Sequence, residues 1–201
     1  MLKLQYTKIS PEVGCDEAGR GCLCGPVVAG AVILDPKNPI EGLNDSKKLS
    51  KKKRETLAIE IKEKALAWGV GEVNHKEIDE INILNASFLA MHRAVDKLKI
   101  IPEMILVDGN RFTPYKNTPH ECIIKGDGKV ACIAAASILA KTHRDFLMDD
   151  YNEEYPGYGW DTNAGYPTKK HREAIRKLGV TPIHRMTFQL LPKQLEIFPK
   201  K

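Results

Sequence analysis

The stretch that most constrains this 201-residue chain is Val13-Gly14-Cys15-Asp16-Glu17-Ala18-Gly19-Arg20-Gly21, which leads into Cys24-Gly25-Pro26-Val27-Val28-Ala29-Gly30-Ala31-Val32-Ile33-Leu34. Two runs rich in β-branched and small residues, on either side of a Gly-Arg-Gly turn, predict an apolar hairpin of buried strands. The hairpin carries two adjacent carboxylates at its rim. Anions half-buried side by side are costly unless cations or several donors compensate them, and a bound metal ion is one such compensation. Neighbours on a regular strand point to opposite faces, so Asp16 and Glu17 share a site only if the strand ends or bulges beside them. Gly19 and Gly21 permit the backbone angles such a departure needs, in particular a bend at Ala18-Gly19.

A chain of this length fits one domain, or one domain with a small appendage, and buries roughly 70% of the surface its unfolded form exposes. Hydrophobic residues make up 42%, and neither repeats nor low-complexity tracts occur, which excludes a disordered chain. The net charge of +5 is modest, but cations cluster at Asp45-Ser46-Lys47-Lys48-Leu49-Ser50-Lys51-Lys52-Lys53-Arg54 and at Lys169-Lys170-His171-Arg172. Such clusters attract polyanions by releasing phosphate counterions, although one alone reads more readily as a solvated helix face. The five cysteines form no CxxC pair, which points to free thiols in a reducing compartment and away from zinc. With no basic leader and no apolar run of membrane length, the expectation is a soluble, cytoplasmic protein.

After the hairpin, Ser50 is a good N-cap for a helix starting at Lys51. Residues 65–73 alternate like a third strand, so the sheet begins antiparallel. From His75, Ile78, Ile81, Phe88 and Val95 recur at helical spacing as far as Lys97-Leu98-Lys99, with Pro102 beyond. A strand Met104-Ile105-Leu106-Val107 closes on Asp108, and a short strand at 121–125 is broken by Gly126-Asp127-Gly128. A long helix follows over 130–151, with its small-residue segment Ala134-Ala135-Ala136 suited to close packing on the sheet. Asp145 beside Arg144 suggests an ion pair. Residues 155–168, rich in Gly, Tyr and Pro, read as a loop with exposed aromatics, followed by a helix over 169–178 and an irregular tail. Strands followed by helix, strand, strand and helix give an α/β domain with a mixed sheet.

Asp16, Glu17, Asp108 and Asp127 come from three segments, each at a strand end or a strand-to-helix turn. If strands one and four lie side by side, the four converge on one rim. Taken singly, Asp108 fits an Asx turn and Asp127 a helix cap equally well. Together they form the hard oxygen donor set that Mg²⁺ or Mn²⁺ prefers. Two such ions about 4 Å apart activate a water and stabilise a leaving oxygen at a phosphodiester.

Asp16-Glu17-Ala18-Gly19-Arg20-Gly21, Gly25-Pro26-Val27, Asp45-Ser46-Lys47-Lys48-Leu49, Val107-Asp108-Gly109, Lys125-Gly126-Asp127, Ala135-Ala136-Ser137-Ile138-Leu139-Ala140-Lys141, Arg144-Asp145, Gly165-Tyr166 and His184-Arg185 resemble, in order and at compatible spacings, the bacterial ribonuclease HII family. The resemblance implies a ribonuclease H-like fold: a mixed five-stranded sheet flanked by helices, with residues 1–150 catalytic and 151–201 a small helical and loop extension that binds substrate. It implies hydrolysis of RNA in RNA–DNA hybrids and cutting on the 5′ side of single ribonucleotides in duplex DNA, with two Mg²⁺ or Mn²⁺ ions held by Asp16, Glu17, Asp108 and Asp127. Gly19, Arg20 and Gly21 would read the 2′-hydroxyl mainly through backbone groups, Tyr166 would stack on the neighbouring sugar, and Ser46 and Lys47 would hold phosphate. The chain departs from the family pattern at Cys22 and Cys24, usually Pro and Ala, and at Cys132, where Ser is frequent. Gln194-Leu195-Glu196-Ile197-Phe198 is similar to the peptides that dock on bacterial sliding clamps. A monomer is the default expectation. The rivals are a resolvase-like nuclease of the same fold and a non-catalytic nucleic-acid-binding module; no Walker-type phosphate loop is present.

Overall fold

The computed structural model describes residues 2–192, so the clamp-like peptide at 194–198 lies outside the described residues. The elements run β1 (Glu12–Ala18), β2 (Val27–Ile33), α1 (Lys51–Lys64), β3 (Ala67–Val73), α2 (His75–Asp96), β4 (Met104–Asp108), β5 (His120–Ile123), α3 (Ala131–Glu154), α4 (Trp160–Asn163) and α5 (Lys169–Leu178). Single 3₁₀ turns form at Ser46–Lys48 and Gly126–Gly128. The sheet order is β3-β2-β1-β4-β5; the β1–β2 and β2–β3 pairs are antiparallel, and β1–β4 and β4–β5 are parallel. Strands one and four are therefore neighbours, as convergence of the carboxylates requires.

The period-two pattern of the hairpin divides the core in two. Val13, Cys15, Val27, Ala29, Ala31 and Ile33 face α2, while Val28 and Val32 face α1 and α3. Close packing is possible because glycines stand where the helices cross. A Cβ on Gly14 would lie 2.2 Å from the carbonyl carbon of Cys132, and one on Gly30 would lie 2.3 Å from Ala136 O. On the other face, Gly69 and Gly71 leave the same room for the backbone of α2.

Helix α2 is kinked where the hydrophobic period predicts continuity. Asn82 adopts φ 64° and ψ 163°, and its side-chain oxygen accepts from the amides of Leu84 and Asn85. The asparagine thus ends one short helix and caps the next. Residues 155–168 differ from the expectation of exposed aromatics. Trp160 is fully buried and stacks on Tyr158 (4.9 Å, 23°) in a separate apolar cluster with Leu23, Cys24, Met148, Ile175 and Ile183. Helix α3 runs from the Val28 and Val32 side of the core into this cluster and ends at Glu154.

Candidate active site

Each of the four carboxylates stands where an apolar run stops. The β1–β4 pairing ends at Cys15↔Val107, while β1 continues against β2 to Ala18. Asp16 and Glu17 thus occupy the part of β1 that has lost its β4 neighbour, and Asp108 terminates β4. No bulge interrupts the β1–β2 register at Asp16↔Gly30 and Glu17↔Ala29, so the two side chains leave opposite faces of β1 at its carboxyl end. The turn comes immediately after, at Gly19, with φ 97°. Asp127 sits in the 3₁₀ turn before α3; Val130, not Asp127, holds the cap position of that helix, and no side chain caps it.

The carboxylates feel one another. Asp16, 4% exposed, is held well above the ordinary aspartate range, first by burial and then by the charges of Glu17 and Asp108. Bonds from Ser137 and from the Glu17 amide (2.7 Å) offset only part of this. Burial also pushes Glu17 up, against the pull of Arg20, whose Nη1 donates to Glu17 Oε1 at 3.1 Å. Asp127, 5% exposed, is raised by burial, Asp108 and Asp45, with Lys47 Nζ 3.7 Å away as its cation. Asp108 Oδ1 accepts from the Gly126 amide at 2.7 Å, which ties β4 to the Asp127 turn. A buried to half-buried group of oxygen donors with too few protein cations fits a hard divalent ion. No three of these side chains have ligand atoms mutually within 4.8 Å; among the described residues only Cys24, His171 and His184 do.

That trio has the opposite chemistry. His171 Nε2 accepts from Trp160 Nε1, and its Nδ1 donates to Tyr166 O. His184 Nδ1 accepts from the Thr181 amide. Burial drives His184 down to about 4 and Cys24 up to about 12, so both are neutral at pH 7. The group is a packed interior of the C-terminal layer.

The substrate residues named from the sequence are placed unequally. Gly19, Arg20 and Gly21 follow directly on the carboxylates, and a Cβ on Gly21 would lie 3.9 Å from Tyr166 Cε1, so Tyr166, 40% exposed, borders the turn. Lys47 reaches over Asp127. Its largest influence, burial, opposes its charge, but Asp127, Asp16, Asp45 and Asp108 together raise its pKa. The Ser46 hydroxyl is buried and bonds Ser137 Oγ at 2.9 Å, facing away from solvent. Asp145 pairs with Arg54 (3.1 Å) and Lys141, not with Arg144. Arg144 turns inward, donating to Pro26 O, Ala164 O and Cys24 O. Ser137, Arg144 and Arg185 lie against Asp16 or the Gly-Arg-Gly turn without being singled out by spacing; their only sequence signal is their presence in motif-like stretches.

This sheet, with carboxylates at the ends of its central parallel pair, defines a nuclease of the ribonuclease H-like class. The ribonuclease H2 of Pyrococcus horikoshii OT3 superposes with a TM-score of 0.73 at 32% identity, covering 89% of this chain and 94% of that one. The enzyme in the PCNA:RNase HII complex from Archaeoglobus fulgidus does so with 0.76 at 28% identity, covering 94% and 100%. The chain belongs to the ribonuclease HII family, whose sequence model matches residues 13–191. Ribonuclease HII of Parabacteroides distasonis is 62% identical over 92% of this chain and 94% of its own length. That of Phocaeicola vulgatus is 62% identical over 98% and 99%.

The raised carboxylates carry a stability consequence. A carboxyl whose folded pKa lies above its unfolded value holds its proton more tightly in the native state, so stability falls as pH rises from the unfolded toward the folded pKa. The metal-free protein is expected to lose thermal stability as pH rises from about 4 through the raised values of Asp16, Glu17 and Asp127. Asp16→Asn removes one repelling charge and is expected to raise the melting temperature in EDTA at pH 7 and flatten this slope. Thermal melts of both proteins across pH 4–8 check it, and an unchanged or lower melting temperature for the Asp16→Asn protein at pH 7 contradicts it.

Proposed function

We propose that the chain is an endonuclease that hydrolyses the RNA strand of RNA–DNA hybrids and cuts duplex DNA on the 5′ side of an embedded ribonucleotide, leaving a 3′-hydroxyl and a 5′-phosphate. The observation that carries this reading is the continuity of Asp16-Glu17 with Gly19-Arg20-Gly21 and the flanking Tyr166, which supports a ribose-reading role for a turn beside the carboxylate rim. Asp16, Glu17, Asp108 and Asp127 would hold the divalent ions, Mg²⁺ or Mn²⁺. When bound, such ions supply an activated water and neutralise charge on the phosphate. The chain itself does the remaining work. Backbone donors of the Gly19–Gly21 turn meet the 2′-hydroxyl, the group that distinguishes RNA from DNA. Tyr166 offers a ring to the adjoining sugar, and Lys47 offers charge to the phosphate. Ser46 enters as a support, through Ser137, of Asp16. Residues 151–201 act as the substrate-binding extension to the catalytic residues 1–150, and the enzyme works as a cytoplasmic monomer. A resolvase-like nuclease would need no ribose reader, and a purely binding module would gain nothing from four carboxylates that repel its ligand.

Cleavage of duplex DNA holding one ribonucleotide, beside all-DNA and all-RNA duplexes, tests the reading. A single cut at the ribonucleotide is expected in Mg²⁺ or Mn²⁺, with Asp16→Asn slower by on the order of a thousandfold, because a metal ligand's charge is worth several kcal/mol at the transition state. Equal cutting of the all-DNA duplex would sink the substrate assignment.

The tail supports a partner as well. Gln194, Leu195, Ile197 and Phe198 match the chemistry of a clamp-docking peptide, and the archaeal relative was solved as a complex with PCNA. Binding to a bacterial sliding clamp is expected to vanish when residues 194–198 are removed. Unchanged binding after truncation rules this out.

A further inference from the structure

Two arginines lie beneath the Gly-Arg-Gly turn with no carboxylate to answer them. Arg144 is 1% exposed and Arg185 fully buried, and among the described residues neither makes an ion pair. Burial of a cation without a counter-charge is costly, so its remaining partners matter. All hydrogen-bond acceptors of the two arginines are backbone carbonyls, and Arg185 Cζ also lies 5.1 Å from the centroid of the Phe188 ring. Arg144 holds Pro26 O (2.9 Å), Ala164 O (2.7 Å) and Cys24 O (3.1 Å). Arg185 holds Gly25 O (3.0 Å) through Nε and Arg20 O (3.1 Å) through Nη1, while its Nη2 has no partner. Gly19 rests on the first guanidinium so closely that a Cβ there would lie 2.1 Å from Arg144 Nε.

The direction of these bonds matters more than their number. In a trans peptide, the C=O of one residue and the N–H of the next point opposite ways in one plane. Ser10-Pro11 is the only cis bond among the described residues, so the Arg20–Gly21 peptide is trans. Arg185 draws the Arg20 carbonyl inward and thereby turns the Gly21 N–H outward. Gly21 is exposed, borders Tyr166, and its amide has no acceptor among the described residues.

We propose that Arg185 is a positioning residue for substrate choice: by holding the Arg20 and Gly25 carbonyls, it keeps the Gly21 amide aimed at the 2′-hydroxyl of the ribonucleotide. This rests on the reading that the turn senses ribose. Arg144 forms the rest of the floor and sets the Tyr166 loop through Ala164, whose backbone has φ 46°. The fork of a guanidinium is required, because Nε and Nη1 grip two carbonyls in a fixed relation; a lysine keeps the charge but offers a single point. Asp79 anchors this segment from outside, accepting from the amides of Met186 (2.8 Å) and Thr187 (3.1 Å) just after Arg185.

The test is the ratio of affinities for a DNA duplex with one ribonucleotide and for the same duplex in deoxy form, measured by fluorescence anisotropy with Ca²⁺ in place of Mg²⁺ so that neither strand is cut. Arg185→Lys is expected to lower the wild-type ratio by about tenfold, one net hydrogen bond, while affinity for the deoxy duplex stays within about twofold. A thermal melt reports whether the variant folds. A role confined to stability would lower the melt and leave the ratio alone, and a folded Arg185→Lys protein with the wild-type ratio overturns the proposal. If that variant does not fold, Asp79→Ala decides: a ratio lowered by about threefold supports the proposal and an unchanged ratio overturns it. A wild-type ratio near one would instead remove the ribose-reading turn itself, a failure distinct from that of Arg185.

Discussion

Helix α3 lies so close to β1 and β2 that neither Gly14 nor Gly30 could carry a side chain, and the site depends on this approach. From that position α3 puts Ser137 under Asp16, sends Arg144 beneath the Gly-Arg-Gly turn, and follows the 3₁₀ turn that bears Asp127. An interior packed at crystal density transmits displacement instead of absorbing it. A single added methyl at the crossing would therefore be felt by the acidic rim and by the turn together.

The second organising feature is a separation of charge over a short length of chain. Asp16 and Glu17 belong to a rim that burial and mutual repulsion leave short of cations, whereas Gly19 to Pro26 lie over two guanidiniums that have only carbonyls as hydrogen-bond acceptors. An excess of negative charge on one side suits metal ions. Carbonyls drawn inward on the other side leave amides facing outward, which suits recognition of a hydroxyl. Under the proposed function, one strand end would serve both substrate choice and chemistry.

Much of this arrangement is legible in the sequence, for reasons that can be traced to individual residues. Asp16, Asp108 and Asp127 each interrupt an apolar or small-residue run, and a charge in that position calls for an explanation from local pattern alone. The antiparallel start of the sheet and the N-cap at Ser50 follow from equally local signals. What local pattern cannot supply is the partner of a polar side chain. Arg144 and Asp145 are adjacent in sequence, but successive helix residues point about 100° apart; one meets Pro26 O, 118 residues away, and the other meets Arg54. Trp160 sits in a Gly- and Tyr-rich stretch that reads as loop, and its burial depends on Met148, Ile175 and Ile183 from three other segments. The kink at Asn82 is hidden because the hydrophobic spacing runs straight across it. Ser46, read from its lysine-rich neighbourhood as a phosphate ligand, has its hydroxyl in the interior instead, since its own 3₁₀ turn faces Ser137.

The central claim is that the end of the β1–β4 pair is a divalent-metal centre. Anomalous diffraction from crystals grown with Mn²⁺ and an uncut hybrid addresses it directly. Manganese peaks are predicted within the boundary of Asp16, Glu17, Asp108 and Asp127, with none at the Cys24, His171 and His184 interior. Manganese absent from the carboxylates in crystals with full-strength hybrid density, or bound only at the cysteine and histidines, would contradict it.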